Sequence, residues 1–136
     1  MEIVQAPKTA DSPNIHGVRS QILLNTDEVQ VVMISIQPGD GMKMHTTPVD
    51  VFFYCLEGTG IVEIGDEQAE MGVDTLVNSP KGIPHRLSNE GEALFRFLVV
   101  KTPHPRRARG GVGHRGRSDG PDATRDADTA GSGNGP

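Results

Sequence analysis

Two histidines in similar settings are the residues of this chain whose types and positions suggest chemistry. His45 follows a polar loop and precedes an apolar run, Val51 to Leu56, and His85 stands in the segment PKGIPHRLSN. Imidazole is a common ligand of transition metals, and it also exchanges a proton near neutral pH. The pair could therefore hold a metal ion, act as a general acid or base, or bind a ligand by hydrogen bonds.

Short strands separated by glycine and proline turns are predicted to position these histidines. Gly65-Asp66 lies between two short strands, and this dipeptide suits a two-residue type II′ turn. The sequence contains no amphipathic helix of useful length. Such a pattern is typical of an all-β sandwich or barrel. The predicted strands are residues 18–24, 29–36, 51–56, 60–64, 68–71, 75–77, 85–87 and 93–101.

Length and composition indicate one small domain in a reducing compartment. The chain has 136 residues, no tryptophan and one cysteine, Cys55, so an internal disulfide framework is excluded. Neither a signal peptide nor an apolar run long enough to span a bilayer is recognisable. Residues 1–101 contain 7 Lys and Arg against 14 Asp and Glu. We therefore expect a cytoplasmic protein that contacts no membrane and is an unlikely partner of nucleic acid.

The composition changes after residue 101. Residues 102–136 hold 8 of the 17 glycines and 4 of the 10 prolines, with many Arg and Asp residues. A segment of this kind buries too little apolar surface to offset the entropy of ordering. The predicted organisation is a barrel over residues 1–101 and a disordered tail over residues 102–136. His16, His104 and His114 are interpreted as incidental.

The two histidine segments resemble the two conserved motifs of the cupin superfamily, over residues 20–101. The resemblance implies a double-stranded β-helix, a small jelly-roll barrel, with His45 and His85 facing each other across a site in its mouth. Residues that match the first motif are Gly39, His45 and Gly58, and those that match the second are Pro80, Gly82, His85 and Asn89, with Asp74 in place of a glycine.

The sequence departs from the three histidines and one glutamate that cupin metal sites usually resemble. Thr47 stands where the second histidine belongs and Val51 where the glutamate belongs. Asp50 would face away from the interior of a regular strand, but a β-bulge near it would turn it inward. His45, Asp50 and His85 are therefore the predicted metal ligands, a set that suits Fe, Mn or Zn. No organic cofactor is expected.

The remaining pocket residues follow from alternation along the strand. If Val51 faces inward, Phe53 and Cys55 do so too, and Thr47 completes the predicted pocket. Lys43 is a third catalytic candidate beside the two histidines, as an acid or as an anion-binding group. The alternative interpretation is that Lys43 is a solvated lysine in a loop. Cys55 is interpreted as a small buried apolar residue rather than a nucleophile.

Three functions remain open for a barrel with this site. The first is a small cupin that binds a divalent metal and acts on or binds a small molecule. The second is a metal-free epimerase or dehydratase with His45 or His85 as the general base, and the third is a binding module without catalysis. An outer face that carries Phe52, Tyr54 and Leu56 is expected to be covered by a partner. The resemblance to cupins suggests that this partner is a second copy of the chain, in a homodimer.

Overall fold

The computed structural model describes residues 1–106, and this part of the chain is built almost entirely of β-strands. One short 3₁₀ turn, Ala6–Lys8, precedes the strands. The predicted all-β fold is therefore confirmed, with small shifts at the strand ends. The strands are β1 (Arg19–Asn25), β2 (Gln30–Ile36), β3 (Asp50–Glu57), β4 (Gly60–Ile64), β5 (Glu67–Met71), β6 (Leu76–Ser79), β7 (His85–Ser88) and β8 (Phe95–Thr102).

The strands form two antiparallel sheets. The larger has the order β1-β2-β8-β3-β6, and the smaller has the order β5-β4-β7. A further segment, residues 41–45, lies along the free edge of β7, where Gly41 pairs with Ser88 and His45 pairs with His85. The chain crosses repeatedly between the two sheets, so that residues distant in sequence meet inside the barrel.

Side chains that point into the barrel lie in rows, because neighbouring strands pair in register. The rows at one end and in the middle are apolar; they include Ile36 with Phe95 and Val32 with Val99. The last row, at the other end, is different, since Lys101 pairs with Gln30 on one side and with Val51 on the other. Val51 in turn pairs with Ser79. The core is thus hydrophobic, and one end of the barrel, which we call the mouth, is lined by polar side chains.

Two turns show how the sequence sets the backbone. Gly65 has φ 60° in the two-residue connection between β4 and β5, as the predicted type II′ turn requires. Asp74 adopts φ 64°, in the left-handed region that glycine favours. Its carboxylate accepts a 2.9 Å hydrogen bond from the Tyr54 hydroxyl. Asp74 therefore keeps the glycine-like conformation at the position where the resemblance expects glycine.

Residues just beyond the predicted boundary at residue 101 also make contacts with the barrel. Strand β8 continues through Thr102, and the amide of His104 donates to the carbonyl of Asp27 at 3.3 Å. Arg106 pairs with the Asp27 carboxylate at 3.0 Å, so this segment packs against the β1–β2 turn. The predicted tail beyond residue 106, with His114, lies outside the described residues. Among residues 1–106, no helix is long and apolar enough to span a membrane.

Candidate functional site

His45 and His85 are direct neighbours in one sheet. The amide of His45 donates to the carbonyl of His85 at 3.1 Å, and the amide of His85 donates to the carbonyl of His45 at 2.8 Å. Their ring centroids lie 4.6 Å apart, with the ring planes at 89°. The expectation that the two face each other across the barrel is wrong. They form a cross-strand pair on one wall of the mouth instead.

A β-bulge brings His45 to the inner face. The chain advances four residues from Gly41 to His45, whereas the partner strand advances only three from Ser88 to His85. One extra residue therefore lies in the 41–45 segment, and it reverses the alternation of the side chains. Met42 is buried in the core, and His45, three residues later, also faces the interior.

The imidazoles of His16 and His45 form hydrogen bonds with the backbone amide and carbonyl of the bulge. The amide of Lys43 donates to Nδ1 of His16 at 2.8 Å. Nδ1 of His45 lies 3.1 Å from the carbonyl oxygen of Lys43, and because a carbonyl only accepts, this nitrogen carries the hydrogen. The rings of His16 and His45 are 4.7 Å apart. The interpretation of His16 as incidental is thus wrong, since it lies beside the predicted pair.

His85 lies deeper in the barrel than His45. Its side chain is 2% exposed and packs edge-on against Phe53, with ring centroids 5.3 Å apart. Nδ1 of His85 is 2.8 Å from the hydroxyl of Ser79, which is also buried. His45 is only partly buried. A molecule that enters the mouth would therefore meet His45 first.

Both histidines are held in the neutral form. Burial lowers the pKa of His45 from 6.5 to about 4, and the Lys101 ammonium acts in the same direction, against the Lys43 carbonyl. The pKa of His85 is also lowered well below its usual value, first by burial and then by the charges of His45, Lys101 and His16. Lys101 itself is 1% exposed. The mouth is thus a buried environment in which positive charge is unfavourable.

Asp50 does not join the histidines. Its side chain is exposed, and its carboxylate accepts a 2.9 Å hydrogen bond from the amide of Lys81. Asp50 and Val51 pair in regular register with Thr102 and Lys101, so the bulge expected there is absent. The predicted ligand set of His45, Asp50 and His85 is therefore not formed.

The donors at the mouth fit a transition metal poorly. In the neutral ring of His16 the hydrogen sits on Nε2, because Nδ1 accepts from the Lys43 amide. Only His45 and His85 are left with a ring nitrogen that could ligate, and the Lys101 ammonium would repel a cation beside them. No group of three or more His, Cys, Asp or Glu side chains in residues 1–106 is arranged to hold a metal ion.

The other predicted residues are distributed between the core and the surface. Val51, Phe53 and Cys55 face inward, and all belong to the hydrophobic core. Burial raises the pKa of the Cys55 thiol, as expected of an unreactive cysteine. Thr47 is buried, but its hydroxyl donates to the carbonyl of Val49 at 3.3 Å. The side chain of Lys43 is exposed, and its backbone rather than its ammonium contacts the histidines.

Sequence reasoning missed two residues of the mouth, His16 and Lys101. Lys101 had a usable signal, since Phe95, Phe97 and Val99 alternate on one face of β8 and residue 101 continues that face. No signal in the sequence pointed to His16, because it lies outside any strand and 29 residues before His45. Its position depends on a loop that Asn14 organises by accepting hydrogen bonds from the amides of His16 and Gly17.

Two antiparallel sheets around a layered core, with the polar residues gathered at one mouth, define the protein as a double-stranded β-helix. A family model of the cupin domain matches residues 32–101, just over half of the chain, and the chain belongs to this family. No curated protein matches the sequence significantly.

Solved structures agree with this assignment. The protein TT1209 from Thermus thermophilus is 27% identical, with a TM-score of 0.68 over 77% of this chain and 100% of its own. An RmlC-like cupin family protein from Methanocaldococcus jannaschii is 21% identical, with a TM-score of 0.68 over 80% and 96%. A "predicted oxalate decarboxylase" from Thermotoga maritima is 17% identical, with a TM-score of 0.69 over 75% and 99%. At these identities the last two matches support the fold alone.

Proposed function

We propose that the mouth of the barrel binds a small anionic molecule, such as a carboxylate, without a resident metal ion. The observation that carries the proposal is the inward position of Lys101 beside two neutral imidazoles. An anion at this place would interact favourably with the ammonium group and would accept a hydrogen bond from a protonated imidazole.

Anion binding is expected to be accompanied by the uptake of a proton by His45. Protonation of His45 is unfavourable in the empty mouth, where its pKa is about 4, because the charge would be buried near Lys101. A bound anion removes this penalty and raises the pKa of His45. Binding should therefore be tighter at pH 5 than at pH 7, since the complex holds a proton that the free protein does not.

Acid–base catalysis, as in an epimerase or dehydratase, is the second candidate. With a pKa of about 4 the free imidazole of His45 is a weak base, and general bases work best when their pKa lies near the operating pH. An anionic substrate that raised the pKa of His45 would make this imidazole a stronger base. The partly exposed position of His45 favours this histidine over the buried His85 as the group that contacts a substrate.

The first test uses sodium oxalate as the probe, with sodium chloride at equal ionic strength as the control. We expect oxalate, followed by calorimetry and by the ¹⁵N signals of His45, to bind and to raise the pKa of His45 from about 4 toward 6.5. The variant Lys101→Met keeps the volume of the side chain and removes its charge. It should raise the pKa of both His45 and His85 in the free protein and weaken oxalate binding about tenfold or more.

Two results would count against the proposal. One is that oxalate, formate and phosphate at millimolar concentration all leave the His45 signals unchanged. The other is that the purified protein retains Fe, Mn or Zn at one ion per chain and loses it in His45→Ala. The second result would restore the metal-dependent function, with ligands other than Asp50.

We also propose that the chain forms a homodimer through the outer face of the larger sheet. This face carries Phe52 and Tyr54, both half-buried, and the more exposed Leu56 and Leu76, at 38% and 56% exposure. Light scattering at micromolar concentration should give twice the chain mass of 14.5 kDa. Phe52→Glu should yield a monomer, whereas Glu70→Lys, an exposed change on the smaller sheet, should not. A wild-type monomer would refute the proposal.

A further inference from the structure

Hydrogen bonds within the loop that carries His16 place the imidazole ring of this residue against the bulge. Asn14 accepts hydrogen bonds from the amides of His16 and Gly17 at 2.9 and 3.1 Å, and its side-chain nitrogen donates to the carbonyl of Val18 at 2.8 Å. Gly17 takes φ 73°, which lets the chain turn toward β1. The His16 side chain is consequently buried at 7% exposure, although it lies in a loop.

The backbone of Lys43 is held from both sides by imidazoles. Its amide donates to Nδ1 of His16 at 2.8 Å, and its carbonyl accepts from Nδ1 of His45 at 3.1 Å. The bulge takes the amide of Lys43 out of regular pairing with β7, so a side-chain acceptor is required for this group. His16 supplies that acceptor, and the ring of His45 rests 4.7 Å from the ring of His16.

These contacts form a chain from the N-terminal loop to the imidazole of His45. His16 holds the amide of Lys43, which belongs to the Met42–Lys43 peptide, and the carbonyl of Lys43 lies in the next peptide, joined to the first through the φ and ψ torsions of Lys43. The carbonyl holds the hydrogen of His45 on Nδ1, so that Nε2 of His45 keeps its lone pair for the proton that an anion would then accept as a hydrogen bond. A change at His16 would therefore reach His45 without any contact of His16 with the ligand.

We propose that His16 is a positioning residue of the mouth, which acts through the backbone of Lys43 to set the direction and the tautomer of His45. The consequence for ligand affinity rests on the proposed function, whereas the hydrogen-bond chain itself does not. His16 thus connects the N-terminal loop, which lies outside the region matched by the family model, to the site.

The first measurement uses the wild-type protein without any ligand. A ¹⁵N–¹⁵N coupling across the hydrogen bond between the Lys43 amide and Nδ1 of His16 should be observed. The ¹⁵N shifts of His45 should show the hydrogen on Nδ1. Absence of the coupling, or a His45 ring with its hydrogen on Nε2, would overturn the proposal irrespective of whether oxalate binds.

Two variants then separate positioning from mere filling of space. His16→Asn keeps an acceptor near the place of Nδ1, because Oδ1 of asparagine is the same number of bonds from the backbone, while His16→Leu keeps bulk and has no acceptor. His16→Leu should shift the His45 pKa, change its tautomer ratio and weaken oxalate binding about tenfold, the effect of one lost hydrogen bond. His16→Asn should restore the wild-type values within about threefold.

The outcomes distinguish this proposal from the proposed function. If oxalate fails to bind the wild type, the proposed function fails, and the coupling and the tautomer of His45 still decide the role of His16. If His16→Leu does not fold, Asn14→Ala serves as the second disruptive variant, since it loosens the loop that holds His16 and replaces none of the histidines. Unchanged His45 signals in the folded disruptive variant would refute the positioning role, as would His16→Asn behaving like His16→Leu.

Discussion

Lowering the pH from 7 to 5 is expected to reduce the free energy of unfolding by about 2 kcal/mol through His45 alone. In the folded protein the pKa of His45 is about 4, against 6.5 for an unperturbed imidazole. Between these values the unfolded chain binds the proton and the folded chain does not. The stabilisation is thus complete above pH 6.5 and is lost progressively as the pH falls toward 4.

His85 contributes in the same direction, because its pKa in the folded state is also lowered. The total effect between pH 7 and pH 5 should therefore exceed that of His45. Denaturant unfolding at several pH values measures it, and the window lies above the range in which ordinary carboxylates titrate. The rings of His85 and His16 face His45, and its pKa is set by burial, by the Lys101 ammonium and, in the opposite direction, by the Lys43 carbonyl.

His45→Gln provides the control for this prediction, since glutamine does not titrate. Its unfolding free energy should vary less between pH 7 and pH 5 than that of the wild type, by about 2 kcal/mol. A wild-type curve that is flat in this window, or a variant curve with the same slope, would show that His45 is solvated in the folded state. Addition of oxalate should flatten the wild-type curve, if the anion permits protonation as proposed.

The all-β class was predictable because its signals are local, whereas the double-stranded β-helix was predicted from the resemblance of the two histidine segments to the cupin motifs. Alternation placed Val51, Phe53 and Cys55 on one face of β3, and the structure buries all three. The Gly65-Asp66 turn was equally clear, since a two-residue connection with a first glycine has few conformations. These features depend only on residues that are neighbours in the sequence, and they can therefore be predicted from it.

The site was less predictable, because it depends on one inserted residue in a pairing between distant segments. A bulge was expected next to Asp50, where it would have turned the carboxylate inward, and it occurs between Gly41 and His45 instead. Register of this kind is decided by which hydrogen bonds the partner strand offers, here β7. The wrong placement of one bulge accounts for the wrong metal ligand.

The pairing that fixes this register is anchored at its far end by Asn89. Its side-chain nitrogen donates to the carbonyls of Ile36 and Ala93 at 2.9 and 2.7 Å, and its oxygen accepts from the amide of Gly91 at 2.9 Å. Asn89 is 1% exposed. These contacts close the turn before Gly91. Its backbone pairs with residues 39 and 40, so that the ladder from Asn89 ends at the His45–His85 pair.

Asn89→Ala is expected to lower the free energy of unfolding by about 3 kcal/mol, since it removes three hydrogen bonds and leaves the buried carbonyl of Ile36 without its donor. Denaturant unfolding at pH 7 measures the change. Gln68→Ala is the control, because Gln68 is an exposed amide side chain on β5, outside the proposed dimer face, and it should alter stability by less than about 0.5 kcal/mol. A loss at Asn89 no larger than at Gln68 would mean that the ladder holds its register without this anchor. A loss of the expected size would show that Asn89, at the opposite end of the strand pair that carries His45, contributes to the stability of the whole barrel.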